Sequence, residues 1–376
     1  MSENISPKLD QDIISARIEA GNFLDDIEAN GGFDETRVAI ILPACSSAKS
    51  LLYGSLNAAL QELRAWNIPS TIFLGMNNGH RDNVLAHIPE THDDVTLYNT
   101  QVESIYPASF MQMVAHNEHN LVAMHQRFSP DNYGKKDVLF EMIEQLKALV
   151  RSSGYQFPRY TLFMDADSYF DNGQGRGIAQ LIAEAQSYNG NAAVSGLSYD
   201  TAYSTDPFGI MQPDYNRPVS IFHHMANIQR QQGNQAHLIG NGFIVPSELV
   251  PVMGMVCNPD NQYVLPAEDS ALSILASELG YDIHISEEVH VTNCAPELND
   301  SRWIYQLQNW ADVERTVMLT YDYEAAPQPS TVQRRTTMLA AAGRVLRQTA
   351  MHHDYSVFDG LEHILNRKDL HRRIFG

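Results

Sequence analysis

The segment formed by residues 38–42 restricts the fold most, because all five of its side chains are apolar. A strand with one face in solvent alternates polar and apolar residues, whereas an unbroken apolar run is typical of a strand covered on both faces. A helical pattern follows at residues 51–63, and a second apolar run follows at residues 70–74. Strand, helix and strand at this spacing predict a parallel βαβ unit, and therefore an α/β fold.

A third apolar run, residues 160–164, leads directly into two carboxylates, Asp165 and Asp167. Residues two apart on an extended chain point to the same face, about 6.5–7 Å apart at the backbone. Two like charges there repel each other and are costly to desolvate unless a cation lies between them. At the carboxyl end of a strand in an open α/β sheet, where ligands usually bind, a divalent metal such as Mg²⁺ or Mn²⁺ is the expected cation.

An Asp-x-Asp triplet is a weak signal when it stands alone, since about one is expected by chance in an acidic chain of this length. The chain contains a second triplet, Asp10-Gln11-Asp12, in a polar stretch that leads into an N-terminal helix. That triplet is most simply a solvated cap. Asp165 and Asp167 differ from it because an apolar strand precedes them.

Composition excludes some partners. The 376 residues carry a formal net charge of −20, and 44% of them are hydrophobic. A nucleic-acid backbone or an anionic membrane needs a basic face, so neither is expected as the main partner. A substantial core and a soluble protein are expected instead.

The three cysteines, Cys45, Cys257 and Cys294, are far apart in the chain and odd in number. No CxxC metal knuckle or disulfide framework can be built from them, which fits a reducing compartment. The first residues lack the basic and apolar regions of a secretory signal, and no apolar run is long enough for a membrane span. We therefore expect a cytoplasmic protein.

Three domains or regions are expected: an N-terminal helical extension (residues 1–36), a catalytic α/β domain (residues 37–295) and a C-terminal helical region (residues 296–376). Within the central domain, further strands are predicted at residues 94–98, 192–196 and 283–291, and further helices at residues 104–127, 138–150, 178–187 and 266–280. Residues 201–218 are rich in Asp, Pro, Gly and Tyr without periodicity, and they predict a surface loop over a site.

Six short motifs follow one another in order along this pattern of strands and helices. They are Pro43-Ala44 after the first strand, Asn77-Asn78-Gly79-His80-Arg81-Asp82 after the second, Asn132-Tyr133-Gly134-Lys135, Asp165-Ala166-Asp167, Gly240-Asn241-Gly242, and Glu268-Asp269 before Gly280-Tyr281. Taken together, the chain resembles the GT-A glycosyltransferases, most closely their family 2, over residues 37–293. The resemblance implies a Rossmann-like nucleotide-diphospho-sugar transferase fold with a mostly parallel central sheet. It also implies transfer of a sugar, such as a hexose, from a UDP- or GDP-sugar to an acceptor hydroxyl.

The resemblance also implies roles for donor-side residues. Asp167 is expected to bind Mn²⁺ or Mg²⁺ directly, while Asp165 holds the ribose or a metal-bound water. Lys135 is expected near the phosphates. The nucleoside pocket would be lined by Pro43, Ala44 and Asn77, the last in place of the family's usual acid.

On the acceptor side, Asp269 is the expected general base of an inverting reaction, with Glu268 in support and Gly240, Asn241 and Gly242 in the acceptor loop. A retaining reaction would need no such base. Both acids could instead complement the dipole of the helix that they begin.

Three further assignments stay open between alternatives. The third metal ligand is expected at His290 because imidazole is the better Mn²⁺ ligand, although the family's strict spacing indicates Asn293. Arg302 and Trp303 resemble an element that pairs with diphosphate and stacks on the acceptor sugar. Equally, they could be a surface arginine and a core tryptophan.

Two other functions compete with glycosyl transfer. A sugar-phosphate nucleotidyltransferase normally has a Gly-rich, Arg- and Lys-bearing loop after its first strand, whereas this chain has residues 43–49 without a glycine run. A catalytically silent GT-A-like binding module would not need both acid pairs, and this chain retains them.

Overall fold

The computed structural model describes residues 7–44, 49–76, 95–99, 118–125, 135–171, 173–205, 211–218, 238, 240, 242–259 and 268–294. The described helices are α1 (Pro7–Ala29), α2 (Lys49–Ala65), α3 (Lys135–Ser153), α4 (Gly177–Ser187), α5 (Val250–Cys257) and α6 (Glu268–Glu278). The described strands are β1 (Asp34–Ala44), β2 (Ser70–Met76), β3 (Val95–Asn99), β4 (His119–His125), β5 (Pro158–Met164), β6 (Ser168–Asp171), β7 (Ala192–Thr205), β8 (Met211–Pro218), β9 (Gly242–Pro246) and β10 (Asp282–Cys294).

The described strands form one mixed sheet in the order β3-β4-β2-β1-β5-β9-β7-β10-β6, with β8 paired to β7. Strands β3, β4, β2, β1 and β5 are parallel neighbours, and β7 is parallel to β10. Strand β9 is antiparallel to both β5 and β7, so those two strands share one direction. The predicted fold class, a mostly parallel α/β sheet with flanking helices, is confirmed.

Helices cover both faces of the sheet, as the unbroken apolar strands predict. Along β1, Ala39 and Ile41 belong to one hydrophobic core, which also contains buried residues of α1, α3, α5 and α6. Their neighbours Val38, Ile40 and Leu42 belong to a second core with α2 and α4. Successive side chains of one strand thus point into opposite cores, which fixes the register of the strand.

Helix α1 packs into the first core. Leu9, Phe23 and Ile27 are almost fully buried, and the rings of Phe23 and Phe157 meet edge to face at 5.5 Å. Two isoleucines on its outer side, Ile14 and Ile18, are exposed. The predicted N-terminal helix is confirmed, and it forms part of the layer that covers the sheet.

The helix predicted at residues 104–127 is wrong for residues 119–125, which form strand β4 between β2 and β3. Val122 and Met124 lie in one core and Leu121 in the other, so adjacent residues point to opposite faces. A helix would have left one of these apolar faces in solvent. Pairing on both sides of the strand therefore decides its conformation.

The loop predicted at residues 201–218 is also wrong where the structure describes it. Strand β7 continues to Thr205, and β8 pairs with it antiparallel, with Tyr203 opposite Pro213. Threonine and tyrosine favour strands, and a proline is tolerated in β8 because that strand lies off the main path of the sheet.

Residues 296–376 lie outside the described residues, so the predicted C-terminal helical region and the domain boundaries stay predictions. Among the described helices, none combines the length and the apolarity that crossing a membrane requires.

Candidate functional site

Four chain segments with charged or polar groups meet at the carboxyl edge of the parallel strands. Asp165 follows the last residue of β5, Met164, and Met164 pairs with Gly242 at the first residue of β9. Because β9 runs against its neighbours, the segment that leads into it ends at this edge. The helices that begin there are α3, at Lys135, and α6, at Glu268. The topology therefore gathers residues that are far apart in the sequence.

A tight turn presents Asp165 and Asp167. The Ser168 amide donates to the Asp165 carbonyl at 3.0 Å, and the Asp165 amide donates to the Ser168 hydroxyl oxygen at 3.2 Å. From α2, the buried hydroxyl of Ser55 donates to the Ala166 carbonyl at 2.6 Å. These bonds hold the backbone of Asp165 and Ala166 and that of Ser168, so the turn that carries the two carboxylates is fixed on both sides of Asp167.

The ammonium group of Lys135 joins the acids of two different segments. Its Nζ lies 2.6 Å from Asp165 Oδ1 and 3.2 Å from Glu268 Oε1. It also donates to the Gly240 carbonyl at 3.0 Å. An ammonium has three N–H donors, and these contacts can engage all of them.

Asp269 is held by backbone amides. Its Oδ2 accepts from the Gly240 amide at 2.7 Å, and its Oδ1 accepts from the Ser270 amide at 2.8 Å. The Ser273 hydroxyl donates to the Asp269 carbonyl at 2.7 Å and accepts from the Leu238 amide at 2.8 Å. The segment before β9 is thus attached to the first turn of α6 at two points.

The charges perturb one another strongly. Burial, reinforced by the Glu268 charge, raises the pKa of Asp269 to about 6. For Glu268, burial would raise the pKa, but the Lys135 ammonium outweighs it and holds the pKa below its usual value. Burial likewise opposes the charged form of Lys135, yet Asp165 and Glu268 raise its pKa overall. Lys135 and Glu268 are therefore charged near neutral pH, and Asp269 lies close to its titration point.

The metal-motif acids behave differently from each other. Burial raises the pKa of Asp165, and the ammonium of Lys135 opposes this effect. Burial, followed by repulsion from the Asp165 charge, raises the pKa of Asp167 to about 7. Asp167 is therefore a carboxylate whose negative charge lacks a sufficient cation.

A second lysine lies behind the acids. Lys136 has a buried Nζ without a hydrogen-bond partner among the described residues. Burial lowers its pKa, against the attraction of the Glu268 charge. Among the described residues, Lys136 thus lies near the acids of α6 without a hydrogen bond to either of them.

The donor set fits a divalent ion with oxygen ligands. Mg²⁺ is commonly held by one or two carboxylates together with substrate phosphates and water, and Mn²⁺ accepts the same ligands. Asp165 and Asp167 supply two such carboxylates, and the raised pKa of Asp167 reflects a charge that a cation would stabilise. Within the described part of the chain, no group of three His, Cys, Asp or Glu side chains is close enough to form a complete metal site. The residues present therefore fit an ion that is completed by substrate.

Other predicted site residues lie along the same edge or outside the described residues. Pro43 and Ala44 end β1, opposite Gly75 and Met76 of β2. In β10, His290 pairs with Asp171 of β6, while Asn293 pairs with Ser168, directly after Asp167. The register thus brings the backbone of Asn293 closer to the metal motif than the backbone of His290. Asn77, Asn241, Arg302 and Trp303 lie outside the described residues.

The sequence motifs did not reveal three supporting serines, Ser55, Ser168 and Ser273. Ser168 could have been found, because a serine three residues after an aspartate commonly bonds to the local backbone. Ser55 and Ser273 carry no such signal, since each stands within a helical pattern and its site partner comes from another segment or from the start of its own helix.

No protein-family model matches the chain, and no curated protein matches it. Among solved structures, it is similar to a mannosyltransferase from Pyrobaculum calidifontis in complex with GDP-Man and Mn²⁺, at 13% identity and a TM-score of 0.47, over 97% of this chain and 96% of that one. It is also similar to S. aureus TarS 1-349 in complex with UDP, at 11% identity and a TM-score of 0.38, over 77% and 67% of the two chains. Glycosyltransferases are thus among the structures that this chain is similar to.

Proposed function

We propose that this protein is a divalent-metal-dependent glycosyltransferase that moves a sugar from a nucleoside-diphosphate sugar to an acceptor hydroxyl with inversion. The observation that supports this most is the linkage of two acid pairs through one ammonium at the carboxyl edge of the sheet. Ligands of open α/β sheets bind at this edge. One acid pair suits a metal–diphosphate group, and the other suits a proton acceptor.

On the donor side, Asp167 would hold the metal directly, and Asp165 would hold it directly or through a metal-bound water, with the ribose as its alternative partner. Lys135, which contacts Asp165 and Glu268, would pair with diphosphate oxygens when the donor enters. The other proposed donor contacts are Pro43, Ala44, Asn77 and Arg302, and His290 is the proposed third protein ligand of the metal. When bound, Mn²⁺ or Mg²⁺ supplies Lewis-acid stabilisation of the charge on the departing diphosphate.

On the acceptor side, Asp269 accepts the proton of the attacking hydroxyl. Its pKa of about 6 leaves it ionised at pH 7 and above, yet more basic than an ordinary aspartate. Backbone amides occupy one lone pair of each oxygen, and a carboxylate has further lone pairs for the hydroxyl. Glu268 supports the site by holding Lys135, and the acceptor would contact Gly240, Asn241, Gly242 and Trp303.

The test is binding followed by hydrolysis. Thermal unfolding is measured with UDP and GDP, each with and without Mn²⁺, and a panel of UDP- and GDP-sugars is then screened for Mn²⁺-dependent hydrolysis. We expect stabilisation by one nucleoside diphosphate only when Mn²⁺ is present, and slow hydrolysis of its sugar derivatives.

Variants sharpen this test. Asp167→Asn is expected to remove both the Mn²⁺-dependent stabilisation and the hydrolysis. Asp26→Asn is the control, because it also removes one carboxylate charge from an ion pair, that with Arg151, but Asp26 lies on α1, which is not among the segments that meet at the site. Full turnover by Asp167→Asn would contradict the proposal. Formation of a nucleotide sugar from a nucleoside triphosphate and a sugar phosphate would indicate a nucleotidyltransferase instead.

A further inference from the structure

The contacts of Lys135 have a consequence for how a metal enters the site. We propose that Lys135 is a positioning residue that occupies the cation position at Asp165, and that a divalent ion must displace it from this carboxylate. This inference rests on the proposed function in one respect, the divalent ion at Asp165. It adds an exchange between two cations, in which a group of the chain itself competes with the metal.

The contact distance of Lys135 and the charges of the two cations indicate that either the lysine or a divalent ion, but not both, contacts Asp165. The Lys135 ammonium lies 2.6 Å from Asp165 Oδ1, the shorter of its two carboxylate contacts. A metal bonded to the same carboxylate would bring a doubly charged ion within a few ångströms of the ammonium, where like charges repel strongly. The two cations therefore exclude each other from close contact with Asp165.

The side chain of Lys135 is only partly buried, which allows the exchange. Lys135 is 36% exposed although it touches three groups, whereas Lys147 on the same helix is 19% exposed. The ammonium can therefore leave Asp165 without unpacking the core. It would remain within reach of diphosphate oxygens, whose negative charge would replace that of the carboxylates that it leaves.

The exchange connects the two halves of the site. In the state described, Lys135 ties Asp165 on the donor side to Glu268 and the Gly240 carbonyl on the acceptor side. Displacement by a metal loosens these ties, while the bond between the Gly240 amide and Asp269 does not involve Lys135. Metal entry thus frees the lysine and leaves the proposed base in place.

The first experiment measures Mn²⁺ affinity by calorimetry on the full chain without any nucleotide. We expect Lys135→Met, which removes the ammonium and keeps the length of the side chain, to bind Mn²⁺ at least tenfold more tightly than wild type. Lys135→Arg keeps the charge and is expected to stay within about threefold of wild type. Lys147→Met is the matched control, since Lys147 also contacts two carboxylates, Glu19 and Glu144, each at 2.8 Å.

Equal or weaker Mn²⁺ binding by Lys135→Met overturns the inference, as does the absence of Mn²⁺ binding in both wild type and Lys135→Met. A second measurement covers the case in which Lys135→Met does not fold. In wild type labelled with ¹⁵N-lysine, the Nζ signal of Lys135 is identified by its absence from the Lys135→Arg spectrum. It is expected to shift or broaden as Mg²⁺ is added, and an unchanged signal at saturating Mg²⁺ overturns the inference.

The outcomes separate this inference from the proposed function. Tighter Mn²⁺ binding by Lys135→Met together with no turnover of any nucleotide sugar would support the exchange and contradict the glycosyltransferase. Mn²⁺-dependent turnover by wild type together with unchanged Mn²⁺ affinity in Lys135→Met would support the glycosyltransferase and contradict the exchange.

Discussion

The amide of Gly240 donates to Asp269 Oδ2 at 2.7 Å, and a Cβ atom at residue 240 would lie 2.8 Å from that same oxygen. Any side chain at residue 240 would therefore displace the carboxylate or break the bond that holds it. Glycine is required here for close approach, and the approaching group is the proposed base.

Gly240→Ala is accordingly expected to move Asp269 and to lower the rate of sugar transfer by about tenfold to a hundredfold, since small misplacements of a catalytic group are costly. The rate is measured at saturating donor and Mn²⁺. Gly21→Ala on α1 is the control, because nothing lies within 4 Å of a Cβ there. It is expected to leave the rate unchanged and to raise stability by about 0.5–1 kcal/mol. A Gly240→Ala variant with the wild-type rate would contradict the proposed role of Asp269.

Asp269→Asn is expected to lower the transfer rate by about 10²–10⁴-fold, because the amide cannot accept the proton. The wild-type rate should rise with pH through about 6 and then level off, since burial and the Glu268 charge raise the pKa of Asp269 to that value. The pH–rate profile at saturating donor tests both points. If the residual activity of Asp269→Asn kept the same inflection, another group would be the base.

Ser55→Ala removes the hydroxyl that donates to the Ala166 carbonyl and leaves a buried acceptor without its partner. We expect a loss of about 1–3 kcal/mol in the free energy of unfolding, together with weaker Mn²⁺ binding, because the turn that carries Asp165 and Asp167 is released. Urea unfolding and calorimetry measure the two effects. Ser152→Ala is the matched control, because its hydroxyl also donates to a backbone carbonyl, that of Ala148, on an exposed face of α3. Unchanged Mn²⁺ affinity in Ser55→Ala would limit Ser55 to a role in stability.

Glu62→Gln tests a partly buried acid away from the metal motif. The Glu62 carboxylate accepts from the Ala179 amide in the first turn of α4, yet burial outweighs the backbone bonds and raises its pKa from 4.5 to about 7. The folded chain therefore keeps this proton over a pH range in which the unfolded chain has lost it. Stability should fall as pH rises from about 4.5 to about 7.

The glutamine stays neutral and can still accept the Ala179 bond. Near pH 4 the variant should match wild type in urea unfolding, while at pH 8 it should be more stable, by up to about 3 kcal/mol. Glu144→Gln, at an exposed ion pair with Lys147, is expected to change stability by less than about 1 kcal/mol at either pH. A pH-independent effect of Glu62→Gln would contradict the raised pKa.

The central strands could be predicted from the sequence because their signal is local. Residues 38–42 are all apolar, residues 70–74 and 160–164 are mostly so, and each segment forms a strand between two others. The approach of the backbone to other groups at Gly240 and Gly242 was also predictable, since glycine marks such positions. At residue 242, a Cβ would meet the ring of Phe170 and the side chain of Val291.

Strand β4 and the hairpin of β7 and β8 could not be predicted in the same way. Strand β4 is formed by pairing with the distant segments β2 and β3, and the pairing of β8 with β7 has no periodic apolar signal, so in both cases tertiary pairing overrides a local pattern that predicts a helix or a loop. The same limit applies to the site. Each acid pair forms a local motif, whereas the contact of Lys135 with both pairs depends on where β5 ends and α6 begins.

Strand β9 runs opposite to its two neighbours, so substitutions within this strand and substitutions in the segment before it affect different parts of the protein. A segment that follows a parallel strand leads away from the carboxyl edge of the sheet, whereas the segment that precedes β9 leads to that edge. The register of β9 itself is fixed by its pairing with β5 and β7. A substitution at a described residue that leads into β9, such as Leu238 or Gly240, can therefore move Asp269 and the first turn of α6 without shifting a strand pairing, whereas a substitution within β9 acts on the sheet itself.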